Sequence, residues 1–206
     1  MSFGSSYFTV PKFTYIRPSS IDELLDFLSE HGQEAKVMSG GVGLLAFMKE
    51  RLLRPKYVVS LSGINELKTL RLDDGGLSVG AGVHLSELET EAMKRAYPTL
   101  YFAVKSIADP IVRNMGKLAG DVLEALPWGD AYPALISLNA RAEIMSRKSR
   151  REAPVNGIVT GFGQTAISED EIVTRITVPQ EEVKGTYVKF SNASEYGLAT
   201  VALSYY

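Results

Sequence analysis

The chain has 206 residues and a net charge of −2 at neutral pH, which argues against nucleic acid as its main partner. With no cysteine it can form no disulfide and supply no iron–sulfur ligand, and its two histidines, His31 and His84, have no partner histidine for a transition metal, so any redox chemistry must rest on an organic cofactor. No run approaches the roughly 18 apolar residues of a membrane span, and Met1 to Val10 lacks a basic-then-apolar signal pattern, so a cytoplasmic location is expected.

Phe13 to Ile16 reads as a short strand stopped by Arg17-Pro18. Ser20 and Glu23 then have capping-box spacing, and Ile21, Leu24, Leu25 and Leu28 share one helical face before Gly32 closes the helix. Ala35 to Met38 has the pattern of a buried strand, followed by Ser39-Gly40-Gly41-Val42-Gly43 and a helical run from Leu44 to Lys49. Strand, glycine turn and helix start can cradle a phosphate, because free N–H groups and the helix dipole point at the turn. Geometry alone also demands glycine in such turns, and this one has the spacing of neither nucleotide-binding fingerprint.

Tyr57 to Leu61 is the next strand, and Thr69 to Leu72 with Leu77 to Gly80 flank an Asp73-Asp74-Gly75-Gly76 turn as a hairpin. Leu85, Leu88 and Met93 mark one short helix, and Leu100, Val104 and Ile107 another. The stretch Ile107 to Asp121 reads as a long loop with apolar anchors, and its Arg113 and Lys117 make it a second candidate anion cradle. The competing reading is an Ω-loop that caps the core. Beyond it, Asp130 stands near the start of a helix containing Ala134, Leu135 and Leu138, and Trp128 is expected to be a buried packing anchor. Ala140 to Met145, Glu171 to Val178, Tyr187 to Phe190 and Leu198 to Tyr206 read as strands, and Arg147 to Arg151 as a solvated basic turn.

Four stretches in this order resemble a known family: Phe13-Thr14-Tyr15-Ile16-Arg17-Pro18, Ser39-Gly40-Gly41, Ile111-Val112-Arg113-Asn114-Met115-Gly116 within the long segment, and Glu171-Ile172-Val173. The chain is similar, over about residues 11 to 204, to the flavin-binding medium subunit of the molybdenum hydroxylases, the group of carbon monoxide dehydrogenase and xanthine dehydrogenase. The resemblance implies an α+β fold of two FAD-binding subdomains, residues 1–62 and 63–180, with residues 181–206 beginning a C-terminal segment of which most is absent. It implies FAD as cofactor, a large molybdopterin subunit and a small iron–sulfur subunit as partners, and substrate oxidation on another chain.

Position by position, the resemblance places Val37, Met38, Ser39, Gly40, Gly41, Val42, Gly43 and Leu44 around the FAD diphosphate, with Lys117, Leu118, Ala119, Gly120 and Asp121 approaching it from the other subdomain. It puts Ile107 in the adenine or ring pocket, Asp130 on cofactor hydroxyls, Ile172 and Val173 near the isoalloxazine, and Lys189 beside the flavin ring. Taken without the resemblance, Lys189 reads as an exposed strand lysine. The family usually has G-G-T-D-L in the first turn and T-[IL]-G-G-N in the second; this chain has Gly41-Val42-Gly43-Leu44 and Lys117-Leu118-Ala119-Gly120-Asp121, and loses side-chain donors in both. Ala119 would cost roughly 1–2 kcal/mol if its φ had to be positive, and Asp121 would repel a diphosphate unless Lys117 neutralised it. FAD binding weakened or lost is therefore one expectation. Two functions are compatible with the sequence: the flavoprotein subunit of a multi-subunit molybdenum hydroxylase, or a flavin-free subunit kept for assembly.

Overall fold

The computed structural model describes residues 9–179, 184–191 and 197–205. Strand β1 (Thr14–Ile16), helix α1 (Ile21–His31), β2 (Ala35–Met38), α2 (Val42–Lys49) and β3 (Tyr57–Ser60) form a parallel three-stranded sheet in the order β1-β3-β2. Both crossovers are helical, as parallel pairing requires. Helix α1 starts at Ser20, whose Oγ accepts the Glu23 N–H at 3.2 Å, while the Glu23 carboxylate reaches back to the N–H and hydroxyl of Ser19. Its apolar stripe of Leu24, Leu25 and Leu28 is buried, each such side chain contributing about 1.5–3 kcal/mol.

Next comes a larger antiparallel sheet of β4 (Leu70–Asp73), β5 (Gly76–Gly80), β6 (Arg141–Met145), β7 (Arg150–Pro154) and β10 (Ile172–Val178), in the order β4-β5-β10-β6-β7. A bulge between Val173 and Arg175 re-aims β10, and the Thr174 hydroxyl donates to the buried Glu143 carboxylate. Helices α3 (Glu91–Ala96), α4 (Pro98–Ser106), α5 (Pro110–Met115), α6 (Leu118–Leu123) and α7 (Ala131–Ser137) fill the connection between β5 and β6. A short ladder of β8 (Val159–Gly161) and β9 (Gln164–Thr165) precedes β10. Strands β11 (Lys184–Phe190) and β12 (Ala199–Tyr205) form an antiparallel pair laid on α4 and α7. One face carries the buried Tyr187; the other presents Val188, Phe190, Val201, Leu203 and Tyr205 to solvent. A single hydrophobic cluster runs from Leu24 and Val59 through Leu100 and Leu135 to Ile176 and Tyr187.

Several expectations are corrected. Residues 107–121 are no loop: Asp109 caps α5 by accepting the Val112 N–H at 2.9 Å, Pro110 occupies the first turn, and α6 begins at Leu118. Gly116 and Lys117 are the extended residues between the two helices. Helix α2 begins two residues before Leu44, on Gly41 with φ +77°. Trp128 is only partly buried and meets the exposed Phe162 edge-on at 6.1 Å. Arg150 and Arg151 lie in β7, paired with Glu143 and Glu171, while Arg147 bonds Asp22 across 2.7 Å. Tyr206 lies outside the described residues.

Candidate functional site

The glycine turn before α2 is held against the second half of the chain by direct contact. Ser39 donates its hydroxyl to the Ala81 carbonyl at 2.6 Å, and a Cβ added at Gly40 would overlap the Met115 carbonyl. Glycine at 40 is therefore a requirement of backbone approaching backbone. Farther along, the Glu124 carboxylate lies so close to Gly43 that a Cβ there would overlap it, and it accepts the Gly43 N–H. Burial raises the Glu124 pKa, and that N–H partly opposes the rise.

Just beyond α6 a second polar cluster is built. Asp130 is buried and precedes α7, but its side chain does not cap the helix: Oδ1 accepts the Tyr187 hydroxyl at 2.5 Å and Oδ2 faces Lys189 Nζ at 2.8 Å. Lys189 also donates to the Ser106 carbonyl at 3.2 Å. Lys189 is thus no exposed strand lysine, because it and Asp130 form an ion pair with side chains 8% and 4% exposed. Burial, and then Asp130, push the Tyr187 hydroxyl pKa up, which keeps it a donor at any ordinary pH. The start of α7 is served by Asp121, whose Oδ2 accepts the Ala131 N–H at 3.0 Å. Burial raises the Asp121 pKa to about 7 against that N–H, with Glu124 and Asp130 adding to the rise.

The two candidate cations of the 107–121 stretch differ in kind. Arg113 is committed to structure: its guanidinium bonds Glu89 at 2.5 Å and the Ile107 carbonyl at 2.8 Å, closing the end of α4. Lys117 is 7% exposed, and no carboxylate lies within ion-pair distance of it among the described residues. Burial lowers its pKa to about 8, with Glu87 opposing and Lys68 adding to the effect. Partial desolvation of an ammonium is costly, and an anion nearby would relieve that cost.

The remaining predicted positions divide by burial. Ser39, Gly40, Val42, Gly43 and Leu44 are partly exposed, Met38 likewise, and Val37 is open to solvent. Gly120 has free space where a side chain would be, its nearest neighbour being Lys117 Cβ at 3.9 Å. Ile107, Leu118, Ala119, Ile172 and Val173 are side chains of the central core. Ala119 sits within α6 and is not among the residues of positive φ, so the backbone strain expected there does not arise. Glu124 was missed by sequence reasoning, since a lone acid after Val122-Leu123 gives no local sign of reaching Gly43. No group of three or more potential metal ligands occurs among the described residues, and no described helix is long and apolar enough to cross a membrane.

A diphosphate suits the backbone of this place. Gly41 turns with positive φ into a helix whose first turn carries no acid and no side-chain cap of its own, so its first N–H groups lack partners within the helix, and Glu124 from outside takes the one at Gly43. The nearby charges suit it less, because Asp121, Glu124 and Asp130 crowd the same region.

Comparison with known proteins places the chain as a whole. The model of the FAD binding domain in molybdopterin dehydrogenase matches residues 11–181. The glyceraldehyde dehydrogenase medium chain of Sulfolobus acidocaldarius is 32% identical over 197 residues, covering 94% of this chain and 70% of that protein. The carbon monoxide dehydrogenase medium chain of Hydrogenophaga pseudoflava is 34% identical over 171 residues, covering 82% of this chain and 59% of that one. The solved structure of carbon monoxide dehydrogenase from Hydrogenophaga pseudoflava superimposes with a TM-score of 0.91 at 29% identity, over 96% of this chain and 70% of that one. The chain therefore spans about 59 to 70% of the length of these proteins.

Proposed function

The chain belongs to the family of FAD-binding domains of molybdopterin dehydrogenases, and on that footing we propose that it is the flavoprotein component of a multi-subunit molybdenum hydroxylase. In this role it passes electrons from iron–sulfur centres on a small partner subunit, through FAD, to an acceptor, while a large molybdopterin subunit oxidises the substrate. The relatives are named for substrates as different as glyceraldehyde and carbon monoxide, which fits a chain that does not itself select the substrate.

One observation carries the reading: the glycine turn of residues 39–43 meets the backbone of Met115 and Gly116 at Gly40 and the Glu124 side chain at Gly43. We assign the turn to a first subdomain, residues 1–62, and the facing segment to a second, residues 63–180. When bound, FAD would supply the one- and two-electron chemistry that no side chain of this protein can perform. The chain's own residues do the holding. Val37 to Leu44 would present N–H donors to the diphosphate, Lys117 to Asp121 would approach it from the facing segment, and Lys117 would bring positive charge. Asp130 and Lys189 form a fixed polar pair for the cofactor's hydroxyls and ring edge, oriented by Tyr187. Ile107, Ile172 and Val173 support the apolar side from the core.

A second reading, a flavin-free assembly subunit, is favoured by the Glu124 carboxylate on the Gly43 N–H, because it occupies a donor the diphosphate needs. Purification with the two partner subunits separates them. The flavoprotein reading requires a complex that releases FAD on denaturation; a complex that releases none, even after incubation with FAD and removal of the excess, would establish the assembly reading.

A further inference from the structure

Glu124 stands directly after α6, and its carboxylate crosses to the start of α2. There it meets the second residue of a helix that offers no acid in its first turn and has a glycine as N-cap. Only a residue without a side chain at position 43 allows this approach, since any Cβ would overlap the carboxylate. A carboxylate and a phosphate want the same thing at this place, converging N–H groups at the positive end of a helix dipole. The other acids nearby are committed elsewhere: Asp121 to the Ala131 N–H, Asp130 to Tyr187 and Lys189.

We propose that Glu124 is an internal competitor for the cofactor's diphosphate: it holds the anion position at the start of α2 in the FAD-free chain and must swing away before FAD can bind. The proposal rests on the FAD-binding reading above and adds to it the residue that sets affinity. A chain in which the competent arrangement is a minor population binds with an affinity reduced by that fraction. Glu124 thereby weakens FAD binding without touching the flavin, while it keeps the empty turn capped and ordered.

The test is an FAD titration of the purified chain, followed by quenching of flavin fluorescence, with wild type, Glu124→Ala and Glu124→Gln. Removal of the competitor in Glu124→Ala should tighten binding about tenfold or more. Glu124→Gln keeps the shape and an acceptor for the Gly43 N–H but not the charge, and should fall between the two. A thermal-unfolding series with inorganic pyrophosphate gives a readout free of flavin: Glu124→Ala should be stabilised at concentrations that leave the wild type unmoved. Equal FAD affinity in wild type and both variants would overturn the proposal and leave the FAD-binding reading standing. If no variant takes up FAD or responds to pyrophosphate, both fall. Should Glu124→Ala fail to fold, the near-isosteric Glu124→Gln decides the matter, tighter binding supporting the proposal and unchanged binding overturning it.

Discussion

Asp130 and Lys189 are separated by 59 residues and meet with Nζ 2.8 Å from Oδ2, both side chains nearly shut off from water. Breaking such a pair from one side leaves an uncompensated charge in the interior. Lys189→Met should therefore lower the unfolding free energy by about 3–5 kcal/mol. The double variant Asp130→Asn/Lys189→Met should recover a large part of that loss, because neither charge then remains. Denaturant unfolding of wild type, both single variants and the double variant gives the coupling energy; strict additivity would show that the pair is not an energetic unit.

Gly40→Ala tests the contact between the turn and the Met115 carbonyl. The added methyl overlaps backbone, which cannot rotate aside as a side chain could. A loss of about 1–3 kcal/mol is expected. Because the same movement separates the turn from the opposite segment, FAD affinity should fall together with the melting temperature. A Gly40→Ala protein as stable as wild type would show that the two segments are not in contact in solution.

Lys117 is the cation whose folding cost is tied most directly to the proposed binding role. Its pKa is lowered from 10.5 to about 8, so the folded state suffers from the buried charge wherever the group is protonated. That cost is fully present below pH 8 and is relieved between pH 8 and 10.5, where the unfolded chain stays charged and the folded one does not. At neutral pH, Lys117→Met should thus stabilise the FAD-free protein by roughly 1–3 kcal/mol, and the advantage should shrink as pH rises through that window. Its affinity for FAD should drop in exchange. A variant that is less stable than wild type at pH 7 would contradict the assignment.

For Asp121 the sign is reversed in pH but not in sense. Its pKa rises from 3.8 to about 7, so between these values the unfolded chain ionises while the folded one resists. Asp121 therefore costs nothing below pH 3.8, and its cost grows up to pH 7 and then levels off. Asp121→Asn keeps an oxygen for the Ala131 N–H and removes the titration. Its stability relative to wild type should rise by roughly 2–4 kcal/mol from pH 4 to pH 7 and stay flat above. A pH-independent difference between the two proteins would refute it.

Local signals account for much of the fold. Ser20 and Glu23 announce α1, the Asp74-Gly75 turn announces the β4–β5 hairpin, and alternation marks β6 and β10 one by one. Their order in the sheet, with β10 between β5 and β6, depends on contacts far apart in sequence and has no local signature. Residues 107–121 carry one local helix-start signal, Asp109-Pro110, but Gly116, Gly120 and the charges give the stretch the composition of a loop. At the site, the glycine turn declares itself through composition. Asp130 reads as a cap from its place before α7, yet Tyr187 and Lys189 claim its carboxylate from a strand that nothing nearby foretells. Arg113 reads as a free cation, because its partners Glu89 and the Ile107 carbonyl become neighbours only when the helices pack.

The outer face of the β11–β12 pair has a colloidal consequence. Phe190 is 74% exposed and Val201 63%, beside Val188, Leu203 and Tyr205, while the net charge of −2 gives little mutual repulsion between molecules. Exposed apolar side chains on a weakly charged chain favour association as salt is added. Sulfate, by strengthening apolar association, should bring the isolated chain out of solution early, and a charge placed at Phe190 or Val201 should move that threshold upward without disturbing the packed side of the same strands.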